Sequence, residues 1–207
     1  MVFAAFPKIH ENIQLDRIGD IFNNVSFIAF NYDRYIEHYL YQALQNYFGV
    51  PASDTAQLME KLVILHPYGV VGALPWQNTQ TNVSFGGGLR NRADIIDIAN
   101  QIRTFTERLE DDSALLAIRR QVQEAEVIVF LGFGYHALNM QLLSPDTTSN
   151  VKLAFGTAYD ISDLDVKQAI IPGISHMLKT GIHRATYVHN RLRCCELFRE
   201  HSYTLSL

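Results

Sequence analysis

The chain has 207 residues, 48% of them hydrophobic and 18% charged, and 17 Lys and Arg against 21 Asp and Glu give a formal net charge of −4. At roughly 150 residues per domain this is a single domain spanning 1–207, too apolar for a disordered chain and without a global positive field for nucleic acid or an anionic membrane. The two cysteines, Cys194 and Cys195, are adjacent, so they form neither a disulfide framework nor a pair of C-x-x-C zinc clamps, and no metal is expected.

The opening MVFAAFPKIHENIQ has no positive charge ahead of its few apolar residues and does not read as a secretory signal. The longest apolar run, Val127–Tyr135, falls well short of the roughly 18 residues of a membrane span. These features predict a cytoplasmic protein with no membrane and no nucleic-acid partner.

Val25–Asn31 is short, apolar and rich in aromatic and branched residues, which predicts a strand buried on both faces. From Asp33 onward, Tyr35, Ile36, Tyr39, Leu40, Ala43, Leu44 and Tyr47 recur at helical spacing, which places most of the tyrosines against a sheet and leaves Tyr41 open as an interface residue. Gly49-Val50-Pro51 ends that helix. Leu62–His66 predicts a second strand that turns through Pro67-Tyr68-Gly69, with a short segment at Val70-Val71. The Asn, Thr, Ser and Gly content of Gln77–Gly88 predicts a flexible loop over 77–89.

Helices are expected over Arg92–Leu109 and Ser113–Gln123, followed by a strand at Val127–Leu131, a Gly132-Phe133-Gly134 turn and a helix at Ala137–Leu143. Val151–Phe155 predicts the last strand; beyond Gly156-Thr157, Ser162 is placed to cap a helix with Asp163 and Asp165 in its first turn. The tail Arg191–His201 reads as helical. Alternating strands and helices imply an α/β layered domain with parallel connections, whose ligands bind at the carboxyl ends of the strands.

Three strand exits carry chemistry. Asn31 and Asp33 put an amide and a carboxylate where strand gives way to helix; they either face a ligand or terminate the strand and cap the helix. His66 ends an apolar strand just before a turn, suited to a general base near neutrality or to anchoring that turn. Gly132 and Gly134 allow close backbone approach at a helix start, either for phosphate or ribose oxygens or for packing. His176, His183 and His189 match no metal-ligand spacing, and Arg90, Arg92, Arg119 and Arg120 read as solvated charges.

Taken together, FNYD at Phe30–Asp33, LHPYG at Leu65–Gly69 and LGFGYHALN at Leu131–Asn139 resemble, in order and interval, the motifs of the SIR2-like (sirtuin-related) family of NAD-consuming proteins. Phe155-Gly156-Thr157 and Ser162 extend the similarity, which covers about Val25 to Ile170. The resemblance implies a Rossmann-like, doubly wound, mostly parallel sheet flanked by helices and an NAD glycohydrolase that releases nicotinamide and ADP-ribose, in a setting such as anti-phage defence. It implies catalytic roles for Asn31 and His66, and contacts to NAD, the substrate, from Asp33, Gly132, Phe133, Gly134, Asn139 and Thr157.

The sequence departs from the family in three ways. It lacks the opening strand with a Gly-Ala-Gly loop, so either the first βα unit is missing or its phosphate site is degenerate; it lacks the four-cysteine zinc module; and Pro67 and Tyr68 separate His66 from Gly69. These departures keep open a non-catalytic module that binds nucleotide or another protein, and a need for a homo-oligomer, an upstream segment or a partner domain.

Overall fold

The structure, a computed structural model, describes residues 2–5, 15–77, 79, 82–87, 96, 99, 102 and 112–205. Its strands are β1 (Val2–Ala5), β2 (Val25–Ile28), β3 (Val63–Leu65), β4 (Val127–Phe130), β5 (Leu153–Thr157) and β6 (Thr186–His189). They form one sheet in the order β3-β2-β1-β4-β5-β6. β2 pairs parallel with β3, and β4, β5 and β6 pair parallel in succession, while β1 runs antiparallel to both of its neighbours. Because β1 opposes both β2 and β4, these two point the same way, and the carboxyl ends of five strands share one edge.

This is the α/β layered arrangement that the alternating pattern predicts, with a Rossmann-like, mostly parallel sheet and two unforeseen strands. The central position between β2 and β4 is taken by Val2–Ala5, paired by backbone in register Val2 to Ile28 and Val2 to Phe130. Four apolar residues shortly before Pro7 carry no periodic signal, so only pairing on both sides reveals the strand. The edge strand β6 was likewise unforeseen, because TYVH is short and polar at both ends. β5 lies two residues later than the expected Val151–Phe155.

The helices are α1 (Tyr35–Phe48), α2 (Ala52–Glu60), α3 (Asp112–Glu124), α4 (Ala137–Leu143), α5 (Asp163–Asp165, continued by Val166–Ile170 in π geometry and Ile171–Met177), α6 (Cys194–Glu200) and α7 (Ser202–Leu205). They cover both sheet faces. Ile28, Ile128, Phe130 and Ala154 join Ile118, Val122, Leu143 and Ile174 in one buried cluster. Val129, Leu131 and Phe155 point the other way, to Leu44, Leu58, Met59, Leu62 and Leu197. The two-residue alternation of strand side chains sends neighbours to opposite faces, and burial on both faces is why the strand sequences read as unbroken apolar runs.

Local signals place the helix ends. Gly49, at φ +66°, closes α1 with its N–H on the Gln45 carbonyl, a conformation that glycine adopts without Cβ strain. Ser162 caps α5 by accepting the Asp165 N–H at 3.1 Å. The π turn ends just before Pro172, which cannot donate a backbone hydrogen bond.

The tyrosines of α1 lie differently from the expectation. Tyr35, Tyr39 and Tyr47 are exposed, and the inward stripe is Glu37, Leu40, Tyr41 and Leu44. Tyr41, left open as an interface residue, instead stacks on Trp76 with ring centroids 4.9 Å apart. Two stripes at helical spacing competed, and contact with β3 and the following loop selected the less aromatic one. Apart from positions 96, 99 and 102, the expected helix over Arg92–Leu109 lies outside the described residues, as does part of the 77–89 loop. The described part of that loop is tied to α1: Arg34 Nη1 donates to the Ala73 and Val83 carbonyls at 3.1 and 2.6 Å, and Phe85 stacks on His38.

Candidate functional site

The exits of β2, β3, β4 and β5 meet along the shared edge. Phe30 after β2 packs edge-on against Tyr68 after β3 and Phe133 after β4, at centroid separations of 5.9 and 5.2 Å. The Tyr68 hydroxyl donates to Asn139 Oδ1 at 2.6 Å, linking the second motif to the third. Burial, with a smaller contribution from Tyr32, raises the Tyr68 phenol above its ordinary pKa and keeps it a neutral donor. The Gly132 N–H donates to Thr157 Oγ1 at 2.9 Å, linking the third motif to the end of β5.

His66 sits at the start of a turn closed by the Gly69 N–H on the His66 carbonyl, at 3.1 Å, with Gly69 at φ +80°. The two residues inserted between His66 and Gly69 therefore build a tight turn that holds the imidazole at the rim. Its Nδ1 lies 3.3 Å from the Asn31 carbonyl oxygen and its Nε2 lies 2.7 Å from Glu37 Oε1. The histidine and glutamate side chains are 10% and 8% exposed, so this contact is shielded from water. A carbonyl and a carboxylate both accept, so the tautomer of the ring decides which of the two nitrogens donates. Both nitrogens thus face a protein oxygen, and the longer Nδ1 contact is the weaker of the two.

The other expected site residues are engaged as follows. Asn31 is exposed, and its backbone carbonyl meets His66. Asp33 accepts the Tyr35 N–H at 3.2 Å at the start of α1, close to the capping role weighed for it, although the N-cap position itself is Arg34. Gly132, at φ +55°, needs the left-handed conformation. Gly134 leaves room for the His136 ring, which a Cβ there would meet at 3.0 Å. Phe133 is buried among Phe30, Phe130 and Tyr135.

Tyr135 adopts φ +52° and folds over Gly156, where its hydroxyl donates to the Thr157 carbonyl at 3.2 Å. Burial pushes this phenol far above its ordinary pKa.

Hydrogen bonds and ring contacts bring the motifs together, but neither of two cavities among the described residues takes in all three. A cavity of about 490 Å3 is lined by Arg34, Glu37, Leu62, Ile64, His66 and Trp76, among others, and takes in none of Asn31, Gly132, Gly134, Asn139 and Thr157. A second, of about 440 Å3, lies between α4 and α5 beside Tyr135, Met140, Ile170 and His176. Glu37, Arg34 and Trp76 were not singled out from the sequence. The available signal was an acid at position 37 on the same helical stripe as Leu40, Tyr41 and Leu44, where a buried charge demands a partner.

Among the described residues, no group of three or more His, Cys, Asp or Glu side chains is placed to hold a metal ion, and no helix is long and apolar enough to cross a membrane. His189 instead meets His201, Nε2 to Nε2 at 2.7 Å. Cys194 and Cys195 are exposed free thiols. No family model, curated protein or solved structure matches this chain.

Proposed function

We propose that the chain is a sirtuin-related NAD-binding protein that hydrolyses NAD to nicotinamide and ADP-ribose. The observation that carries this reading is the imidazole of His66 held at the strand-exit rim between the Asn31 carbonyl and the buried Glu37 carboxylate. Glu37 orients the ring by accepting the Nε2 proton, and in that tautomer Nδ1 is unprotonated, so a ribose hydroxyl that takes the place of the Asn31 carbonyl, 3.3 Å away, meets a free base. His66 then takes a proton from a ribose hydroxyl while the bond between the anomeric carbon and the pyridinium nitrogen breaks. The electron pair leaves with neutral nicotinamide, water adds to the anomeric carbon and loses its own proton to solvent, and His66 returns its proton to the ribose oxygen.

In this reading Asn31 orients the ribose or the attacking water, and Asp33 supports the loop. Gly132, Gly134 and Asn139 contact the adenosine side, and Phe133 and Thr157 are the further NAD-contacting residues of this reading. The test is nicotinamide release from NAD: His66→Ala and Asn31→Ala variants are expected to lose it, and equal release by either variant overturns the role given to that residue.

A second reading, a non-catalytic nucleotide-binding or protein-interaction module, is favoured by two observations. Both His66 nitrogens already have protein partners, and the His66 cavity is separate from the glycine turn. Calorimetric titration with NAD and ADP-ribose separates the readings: binding without turnover supports the module, and turnover supports the hydrolase.

A further inference from the structure

Tyr68 and Asn139 stand 71 positions apart in the chain and meet through the Tyr68 hydroxyl and Asn139 Oδ1 at 2.6 Å. So short a separation suits an O–H donor on a carbonyl-type oxygen, whereas an amide N–H donor prefers about 2.9–3.0 Å, so the carboxamide is held with Oδ1 toward the phenol. Burial raises the pKa of that phenol, which therefore stays protonated and donates at neutral pH. Its ring is fixed in turn, edge-on to Phe30 and carried by the turn that Gly69 closes at φ +80°. Asn139 lies in the first turn of α4, and the bond to Tyr68 is the one its side chain makes among the described residues. Nδ2 therefore has no protein partner there, and it is not one of the buried unpaired atoms, so it faces space that solvent or a ligand can enter. The Gly132 N–H, by contrast, is already committed to Thr157 Oγ1.

We infer that Tyr68 is a positioning residue for Asn139: by occupying Oδ1 it makes Nδ2 an outward donor, so that Asn139 selects a hydrogen-bond acceptor, an oxygen of the adenosine ribose. The identity of that acceptor rests on the NAD reading; the orientation of the amide does not. A free carboxamide turns about a broad, two-fold last torsion and offers a ligand donor or acceptor with little preference. Here a half-turn exchanges a short O–H···O bond for a longer N–H···O contact and takes the acceptor away from the phenol proton. Pro67 and Tyr68 are the residues that separate His66 from Gly69, so the departure from the family pattern is what supplies the positioning group. The turn closed between the His66 carbonyl and the Gly69 N–H thus places the imidazole directly and the amide donor through Tyr68.

The test reads the Asn139 side-chain amide by nitrogen NMR relaxation. The Asn190 amide, which donates to the Ile161 carbonyl and Asp163 Oδ1, serves as the internal reference. In the wild-type protein the Asn139 amide is expected in the rigid range, with an order parameter of about 0.85. Tyr68→Phe keeps the ring and is expected to bring it below about 0.6 while Asn190 stays as it was. A mobile Asn139 amide in the wild type overturns the inference without any variant. So does an equal fall at Asn139 and Asn190, which makes Tyr68 a general support of the fold. Binding is read by calorimetry with ADP-ribose. Tyr68→Phe is expected to weaken it about tenfold, the worth of one ordered hydrogen bond, and Asn139→Asp, which keeps an acceptor for Tyr68 but removes the donor, to weaken it further. Equal affinity in the three proteins overturns the ligand contact of Asn139. No binding by the wild type overturns the NAD reading and the ribose contact with it, while the relaxation result still decides whether Tyr68 places the amide.

Discussion

Glu37 Oε1 and His66 Nε2 lie 2.7 Å apart and join the first turn of α1 to the residue that follows β3. The position favours a carboxylate, because the unpaired N–H groups of a helix start stabilise negative charge. It also couples the histidine to the helix rather than to its own turn. Replacing Glu37 with Ala removes a shielded, charge-assisted contact and is expected to cost about 2 kcal/mol of folding stability. Glu37→Gln keeps a hydrogen-bonding partner at the same reach and is expected to cost less than half as much. Urea denaturation of the three proteins checks the order, and equal losses for Ala and Gln count against a specific contact.

Gly156 sits beneath the Tyr135 hydroxyl, closer than any Cβ permits. Gly156→Ala is therefore expected to push Tyr135 off the Thr157 carbonyl and to destabilise the chain by about 1–3 kcal/mol, the usual range for overpacking. Most of that cost should disappear when Tyr135→Ala is already present, since the next neighbour of the new methyl group, Phe130 Cβ, stands at 3.4 Å, an ordinary contact. Thermal denaturation of the four proteins in this cycle measures the coupling, and additive losses contradict the steric account.

Arg34 is 6% exposed and anchors the segment after β3 through the Ala73 and Val83 carbonyls. Arg34→Met preserves much of the buried stem but leaves both carbonyls without their charged donor, at an expected cost of about 2 kcal/mol. The loss should be local first. Hydrogen exchange at 70–87 is expected to rise more than exchange in β4 and β5, and a uniform rise across the sheet would argue that Arg34 supports the whole fold instead.

His201 has a pKa below its ordinary value, because burial and then the neighbouring His189 disfavour its charged form, against a smaller opposing effect of Glu200. The unfolded chain therefore binds a proton that the folded chain resists. The stability this histidine contributes is present above an unfolded pKa of about 6.5 and is lost as pH falls from there through the lower folded value. Acidification from neutrality is expected to lower the urea midpoint, and His201→Asn should flatten that part of the profile. An unchanged slope in the variant would assign the pH dependence to other groups.

The candidate site was legible in parts. The Asn31, His66 and Gly132 exits could be picked out because each ends an apolar run, and runs and turns are local patterns. The partner of His66 could not: Glu37 lies 29 positions away, on a helix whose tyrosines made a neighbouring stripe look inward. The anchoring of the 77–89 segment was hidden for the same reason, since Arg34 and Val83 are 49 positions apart.

Periodicity, capping chemistry and glycine placement act over a few residues, so the chain alone determined the buried strands of the α/β sheet, the α1 stop at Gly49 and the α5 cap at Ser162. Tertiary packing decided that Val2–Ala5 completes the sheet centre in the reverse direction, which stripe of α1 faces inward, and which nitrogen of His66 meets a carboxylate. Those outcomes compare free energies of contacts between distant segments, and no local window of residues contains both sides of the comparison.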